Sequence, residues 1–282
     1  MCRNSWLSQK EKRLLEKFEP LIKKLIKARL TGSMVDSEEN EQIENLETAY
    51  QIQEKVLEGL GNGSVFWKVG STSEEAQKKL GTDEPGSCRV PGKYCFQNGD
   101  QIPIFDTHDV WVEGEFGLRL GSELPTRDQA YSRSEVISAI DGAAAALELV
   151  GSRFRSGIAN SGRYNVTADC GANIALCIGE IATLSKSSSL KDNPAELYVN
   201  EKKVASGSGE KALGDPINVM VWLANQQRRR GGLKAGSLVS TGTCTGLYKV
   251  KPGDNIRLSC GIIGDVSASL ENGTNTKQLI KV

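Results

Sequence analysis

Val112-Glu113-Gly114-Glu115-Phe116-Gly117-Leu118 lies inside 109–120, a stretch of short apolar alternation that reads as a β-strand. Residues at i and i+2 of a strand leave the same face, so Glu113 and Glu115 project together. Two neighbouring carboxylates repel, and in a buried site one of them takes up a proton unless a cation lies between them. Magnesium, manganese or calcium, hard cations that prefer oxygen, resolve that conflict. A solvated strand face carrying two acids is the plain alternative, and spacing alone does not choose between the two.

A third carboxylate, Glu148, interrupts the core-type strand Ala145-Ala146-Leu147-Glu148-Leu149-Val150. A buried acid without a partner is costly, so a partner is expected: a cation shared with Glu113 and Glu115, or simply Arg153. Three carboxylates leave about three positions of an octahedral magnesium for water or substrate. Lys68, in the apolar strand Phe66-Trp67-Lys68-Val69-Gly70, either snorkels to the surface or is a desolvated acid/base. Asp169 is either a strand-edge residue or one that orients a ligand beside it. The single histidine, His108, reads as a loop residue before the acidic strand, so a histidine triad or multi-histidine metal site has almost nothing to draw on.

Outward from these strands, apolar alternation predicts others at 64–70, 94–96, 144–150, 167–178, 195–206, 237–241, 255–260 and 263–270. Asn98-Gly99 and Asn200-Glu201 read as hairpin turns. A helix is predicted over 216–229, with Asp215 as N-cap and Pro216 in the first turn. Arg228, Arg229 and Arg230 compensate the negative end of that helix, a simpler reading than a nucleic-acid patch. Gly207–Gly214 lacks the Gly-Lys-Ser/Thr ending of a phosphate loop and reads as a flexible turn. Ahead of the strands, 8–30 is an amphipathic helix with Leu14, Phe18, Leu21 and Leu25 on one stripe, kinked at Pro20; a second helix spans about 41–60. The fold class is α+β: a β-rich unit, 64–282, preceded by a helical portion, 1–63.

The 35 basic side chains balance 35 acidic ones, so no global field holds nucleic acid. No apolar run approaches the ~20 residues of a membrane span, and no signal-peptide core follows Met1; a cytoplasmic protein is expected. Seven scattered cysteines without a CxxC pair fit neither a zinc knuckle nor a disulfide framework, and are expected to be reduced core thiols.

In order along the chain, these segments resemble the hydratase/decarboxylase branch of the fumarylacetoacetate hydrolase superfamily, that is, 2-keto-4-pentenoate hydratases and 4-oxalocrotonate decarboxylases. The anchors run from Ala49-Tyr50-Gln51-Ile52-Gln53 through Trp67-Lys68-Val69-Gly70-Ser71-Thr72-Ser73, Asp83-Glu84-Pro85, Val112-Glu113-Gly114-Glu115, Ala146–Arg153 and Ala168-Asp169. Leu213-Gly214-Asp215-Pro216, Trp222-Leu223-Ala224-Asn225, Leu233–Gly236, Thr241-Gly242 and Val250–Asp254 complete the set. Two places depart from it. Where the family has an aspartate, an aromatic and a glycine after Asp-Glu-Pro, this chain has Gly86-Ser87-Cys88, and Cys170 replaces the usual asparagine after Ala-Asp.

The resemblance implies a mixed β-roll or distorted barrel with N-terminal helices. It implies Glu113, Glu115 and Glu148 as ligands of Mg2+ or Mn2+, Lys68 as the active-site lysine, and Ser71, Asp169 and Thr245 beside the substrate. The implied reaction is hydration of a 2-hydroxydienoate to a 4-hydroxy-2-oxo acid, the cation polarising the 2-oxo group of a chelated small 2-oxo acid. Decarboxylation of a 2-oxo-enedioate is the runner-up, because both reactions share the enolate. A non-catalytic paralogue acting as a partner protein is the alternative of a different class. A homo-oligomer is expected, with neither nucleic acid nor membrane as partner.

Overall fold

The computed structural model describes residues 9–61, 65–184 and 189–273, with side chains from Leu15 onward; Leu14 and Cys2 fall outside the described side chains. In chain order the elements are α1 (Gln9–Thr31), α2 (Leu46–Gly59), β1 (Phe66–Gly70), α3 (Glu74–Leu80), β2 (Gly86–Arg89), β3 (Cys95–Gln97), β4 (Gln101–Ile104), β5 (Trp111–Leu120), α4 (Arg133–Ala139) and β6 (Ile140–Val150). Then follow α5 (Gly157–Asn160), α6 (Gly162–Ala168), β7 (Asn173–Ile178), β8 (Ala182–Thr183), β9 (Pro194–Val199), β10 (Lys202–Ser208), α7 (Pro216–Gln227), β11 (Leu238–Lys249), β12 (Asn255–Ser259) and β13 (Asp265–Asn272).

Two mixed sheets carry the fold. The larger has the order β2-β1-β11-β5-β6-β7-β3, with β8 joined to β6, and the smaller runs β10-β9-β12-β13-β4. Alternation along β5 and β6 gives each strand two buried faces. On one, Val112, Phe116, Leu118, Leu147 and Leu149 pack against Ile256, Leu258 and Val266 of the smaller sheet. On the other, Ala144, Ala146, Leu176 and Leu238 meet Leu21 and Leu25 of α1 and Ile52 and Leu57 of α2. Each such aliphatic side chain contributes about 1.5–3 kcal/mol of transfer free energy when fully buried. The helical portion therefore shares an apolar cluster with the sheet, and Glu113, Glu115 and Glu148 leave their strands on this helix-covered face.

Several expectations are corrected. The stretch 167–178 is not one strand: Gly162–Ala168 is helical, and only Asn173–Ile178 enters the sheet. Gln53 of α2 donates to the Thr167 carbonyl at 2.8 Å, so tertiary packing overrides the β-preference of Val166 and Thr167. Asn98-Gly99 does not close a hairpin, because β3 and β4 belong to different sheets; the Asn98 side chain instead accepts from the Ser267 N–H at 2.8 Å. Asn200-Glu201 does turn the β9–β10 hairpin, with φ of 49° and 63°. Helix α1 spans Gln9–Thr31 with Pro20 inside it, as expected of a helix that carries the proline within its length. Gly207-Ser208 belongs to β10 and not to a flexible turn. Helix α7 begins at Asp215 and Pro216 as expected, with Asp215 accepting from the Ile217 N–H at 2.8 Å. Arg229 and Arg230 are paired with Asp128 and Glu47, and Arg228 Nη1 donates to the Asn225 carbonyl of α7 at 2.7 Å. The six cysteines among the described residues form no disulfide with one another.

Candidate metal centre and active site

The β5–β6 register places Glu113 directly opposite Glu148 and Glu115 opposite Ala146. Directly paired side chains on one sheet face lie about 4.5–5.5 Å apart at Cβ, so the backbone alone brings the acids together. One oxygen from each of Glu113, Glu115 and Glu148 lies within 4.8 Å of the others. Glu115 and Glu148 are fully buried, and Glu113 is half-buried.

Each buried carboxylate is held by one oxygen and leaves the other free. Glu115 Oε2 accepts from Ser240 Oγ at 2.5 Å and from the Gly242 N–H at 2.8 Å. That amide points inward because Gly242 sits at φ +89°, where a Cβ would also strike Thr72 Oγ1 at 2.0 Å; only glycine fits. Glu148 Oε1 accepts from Asn173 Nδ2 at 2.8 Å and faces Lys68 Nζ at 3.5 Å. Glu115 Oε1 and Glu148 Oε2 are buried without any hydrogen-bond partner.

Lys68 does not snorkel. It is buried, and Nζ donates to the Gly171 carbonyl at 2.6 Å. Burial pulls its ammonium down, but the carboxylates, Glu148 and Glu113 foremost, outweigh that and hold it above the ordinary lysine value. Burial, and then the Glu148 charge, push Glu113 up to about 8. Burial, Glu148 and Glu113 raise Glu115 well above the ordinary range. With all three carboxylates ionised, one ammonium would leave two negative charges, and two buried oxygens of the set, Glu115 Oε1 and Glu148 Oε2, have no protein partner. A hard divalent cation fits that donor set in charge and in chemistry.

Behind Glu148 stands a buried network that the sequence did not reveal. Asn173 Oδ1 accepts from Arg29 Nη2 at 3.0 Å, so its amide end must face Glu148. The Asn173 carbonyl accepts from Arg29 Nη1 at 2.6 Å and Arg153 Nη1 at 2.9 Å. Arg153, fully buried, pairs with Asp169 Oδ1 at 2.6 Å, and its backbone N–H donates to Asp169 Oδ2 at 3.0 Å. The expected substrate-binding role of Asp169 therefore finds no free oxygen: both are committed to Arg153, and Asp169 orients from behind. The Glu148–Arg153 pair considered from sequence does not form.

Thr245 is likewise engaged elsewhere. Its Oγ1 accepts from the Gly114 N–H at 2.9 Å, and Gly114 turns toward Leu258, on the face opposite the carboxylates. It pins the Glu113-Gly114-Glu115 segment and does not line the cluster. Ser71 follows the end of β1 at φ +57°, its carbonyl accepting from Gln77 Nε2 at 3.0 Å. His108 lies apart, with Nε2 at 3.4 Å from the Ser33 carbonyl; burial, and then Arg153, hold its value down to about 3. The two departures from the resembled pattern meet beside the lysine. Cys88 is opposite Lys68 in the β1–β2 register, its Sγ donating to the Arg89 carbonyl at 3.0 Å, and its proximity lowers the Cys170 thiol.

A known enzyme family accounts for the chain. The fumarylacetoacetate (FAA) hydrolase C-terminal family model matches residues 68–271, and the protein belongs to that family. Within it, the chain is 32% identical over 232 residues to the 2-keto-4-pentenoate hydratase of Paraburkholderia xenovorans (strain LB400), covering 81% of this chain and 85% of that protein. It is 25% identical over 224 residues to the 4-oxalocrotonate decarboxylase of Pseudomonas putida, covering 78% of this chain and 83% of that one. Among solved structures, the 4-oxalocrotonate decarboxylase from Pseudomonas putida G7, complexed with magnesium and adipate, superposes with a TM-score of 0.79 at 24% identity, covering 91% of this chain and 98% of that one. No helix among the described residues is long and apolar enough to cross a membrane.

Proposed function

We propose that this chain is a divalent-metal-dependent lyase, a hydratase that adds water to a 2-hydroxydienoate or 2-oxo-enoate to give a 4-hydroxy-2-oxo acid. The observation that carries the reading is the pair of buried, unpartnered oxygens, Glu115 Oε1 and Glu148 Oε2, in a three-carboxylate cluster beside Lys68. The names of the sequence relatives support the reaction class, and the calcium and magnesium complexes of structural neighbours favour a hard cation, for which we take Mg2+ or Mn2+.

Glu113, Glu115 and Glu148 would hold the ion, which when bound supplies Lewis-acid polarisation of the 2-oxo group. Lys68 does the proton work at Nζ. Its resting state is the ammonium, fixed by Gly171 and Glu148, so it presents a positive charge and a proton to the reacting carbon chain. Protonation of the terminal dienol carbon by such a donor, with the enol O–H proton passing to the resulting amine, gives the 2-oxo-3-enoate. Water then adds across that alkene, its hydroxyl to C4 and a proton from the lysine to C3, and the remaining water proton restores the ammonium. Ser240, Gly242 and Asn173 keep the carboxylates from rotating, so little reorganisation accompanies the reaction.

Decarboxylation of a 2-oxo-enedioate is the second reading, favoured by the decarboxylase among the relatives. Chelator-stripped protein should be inactive toward a 2-hydroxydienoate and regain activity with magnesium or manganese, read as loss of ultraviolet absorbance. Activity indifferent to metal removes the mechanism. Carbon dioxide release from a 2-oxo-enedioate, without absorbance loss from the dienoate, replaces hydratase by decarboxylase. Inactivity toward both in metal-loaded protein leaves the non-catalytic paralogue.

A further inference from the structure

Behind the Arg29–Asn173–Glu148 chain, a cavity of about 20 Å³ is lined by Arg29, Tyr94, His108 and Arg153, with Phe105 and Ala175 among its apolar walls. That is room for one water molecule or one monatomic ion. Two of the lining side chains carry a buried polar atom with no protein partner, Arg29 Nε and Tyr94 Oη. Both are donors. The guanidinium keeps its charge, and burial holds the Tyr94 phenol above its ordinary value, so the hydroxyl keeps its proton. The guanidinium lies 4.1 Å over the Tyr94 ring, which makes the two unused donors neighbours.

The charge around this cavity does not balance. Arg29 and Arg153 are both buried, and Asp169 commits both oxygens to Arg153. Arg29 bonds only neutral acceptors: the Asn173 and Ile174 carbonyls and the Asn173 amide oxygen. No carboxylate among the described residues pairs with it, and the neutral Asn173 amide stands between it and Glu148. The exposed Lys93 adds positive charge, its Nζ lying 5.3 Å from the centre of the same Tyr94 ring. His108 stays neutral, held down to about 3 by burial first and by Arg153 next. A buried guanidinium without a counter-charge is costly. A water molecule accepts from both donors but brings no charge, whereas a small anion supplies acceptor and counter-charge together.

We propose that this cavity binds one halide ion, chloride in ordinary salt, between Arg29 Nε and the Tyr94 hydroxyl. The bound ion fixes the guanidinium that orients the Asn173 amide, and so steadies Glu148 from behind; the site stands independently of the lyase reading. The test exchanges sodium gluconate for sodium chloride or bromide at constant ionic strength, with magnesium present as its gluconate. The thermal unfolding midpoint and the chloride NMR linewidth are followed. Both halides should raise the midpoint, increasingly with the logarithm of concentration once above Kd, and gluconate, too large for the cavity, should not. Bromide should also narrow the excess chloride linewidth by competition. Tyr94→Phe keeps the ring beneath Arg29 and removes one donor: halide affinity should fall about 10-fold, the worth of one charge-assisted bond, while the midpoint in gluconate is no lower. Ala175→Val fills part of the cavity and should abolish the halide response. A midpoint and linewidth indifferent to halide, or a response undiminished in Tyr94→Phe, overturns the site and leaves a water molecule as the occupant.

Discussion

If the three carboxylates share one cation, its binding must displace protons, and the structure sets the scale. Glu113 is pushed up to about 8 and Glu115 well above the ordinary carboxyl range, by burial first and by neighbouring carboxylates next. In metal-free protein near pH 6, about one Glu113 carboxyl in a hundred is ionised, and near pH 8 about half are. A cation takes only the ionised form, so apparent magnesium affinity should rise about 50-fold across that window if a single proton leaves, and more steeply if Glu115 also releases one. The sign for stability is the opposite. An acid whose folded value is raised holds its proton more tightly when folded, so metal-free protein should lose stability as pH climbs from the ordinary carboxyl range toward about 8. Saturating metal should restore it, by about 2.7 kcal/mol at a hundredfold excess over Kd.

Titration calorimetry with magnesium in two buffers of different ionisation enthalpy counts the protons directly. Between about pH 6 and pH 7, at least one should leave per ion bound. Affinity flat across this range, with no proton released, would refute the shared site, because a cation bound to already ionised surface acids displaces none.

Three further outcomes follow from the same geometry. Glu148→Gln keeps the Oε1 bond from Asn173 but removes a ligand charge: metal uptake in equilibrium dialysis should fall at least about 100-fold while circular dichroism stays native. Lys68→Met should leave metal affinity within a few fold and cut kcat by about 10²–10⁴, and normal turnover would end its catalytic assignment. Asp169→Ala strands the fully buried Arg153 charge and should cost about 3–5 kcal/mol in urea unfolding; a cost under about 1 kcal/mol would mean that Arg153 finds another partner.

Much of this centre was legible in the sequence, for a definite physical reason. A strand alternates with period two, so Glu113 and Glu115 announce a shared face, and Glu148 stands out as an acid in an apolar run. The fold class and the capped start of α7 follow from equally local signals. Partners were not legible. Nothing near Asn173 or Ser240 in sequence shows that their side chains turn to Glu148 and Glu115, because register between distant strands fixes those contacts. Asp169 orients through Arg153, one of the readings its sequence left open, whereas the Thr245 hydroxyl holds the Gly114 amide, a contact that no local signal announces. Helices α3, α4 and α6 are each seven residues long, too short for a clear apolar period, and β2 and β4 span only four residues each.

The N-terminal helices belong to the chemistry more than their sequence suggests. A single-layered sheet would leave the carboxylate face wet, and there Glu113, Glu115 and Glu148 would need no cation. Helices α1 and α2 cover that face with Leu21, Leu25, Ile52 and Leu57, and α1 also contributes Arg29, whose guanidinium fixes the amide that fixes Glu148. Covering the acids raises the cost of leaving them unneutralised, and the same cover dries the space in which a polarised substrate would react. Arg29 couples the two effects: it is buried, stacked 4.1 Å over the Tyr94 ring, and bonded to Asn173 and Ile174, so the helix cannot lift without freeing the Asn173 amide. The helical cover and the ligand geometry are therefore one structural unit, and the drive to bind a cation originates in the packing of α1 and α2 as much as in the glutamates themselves.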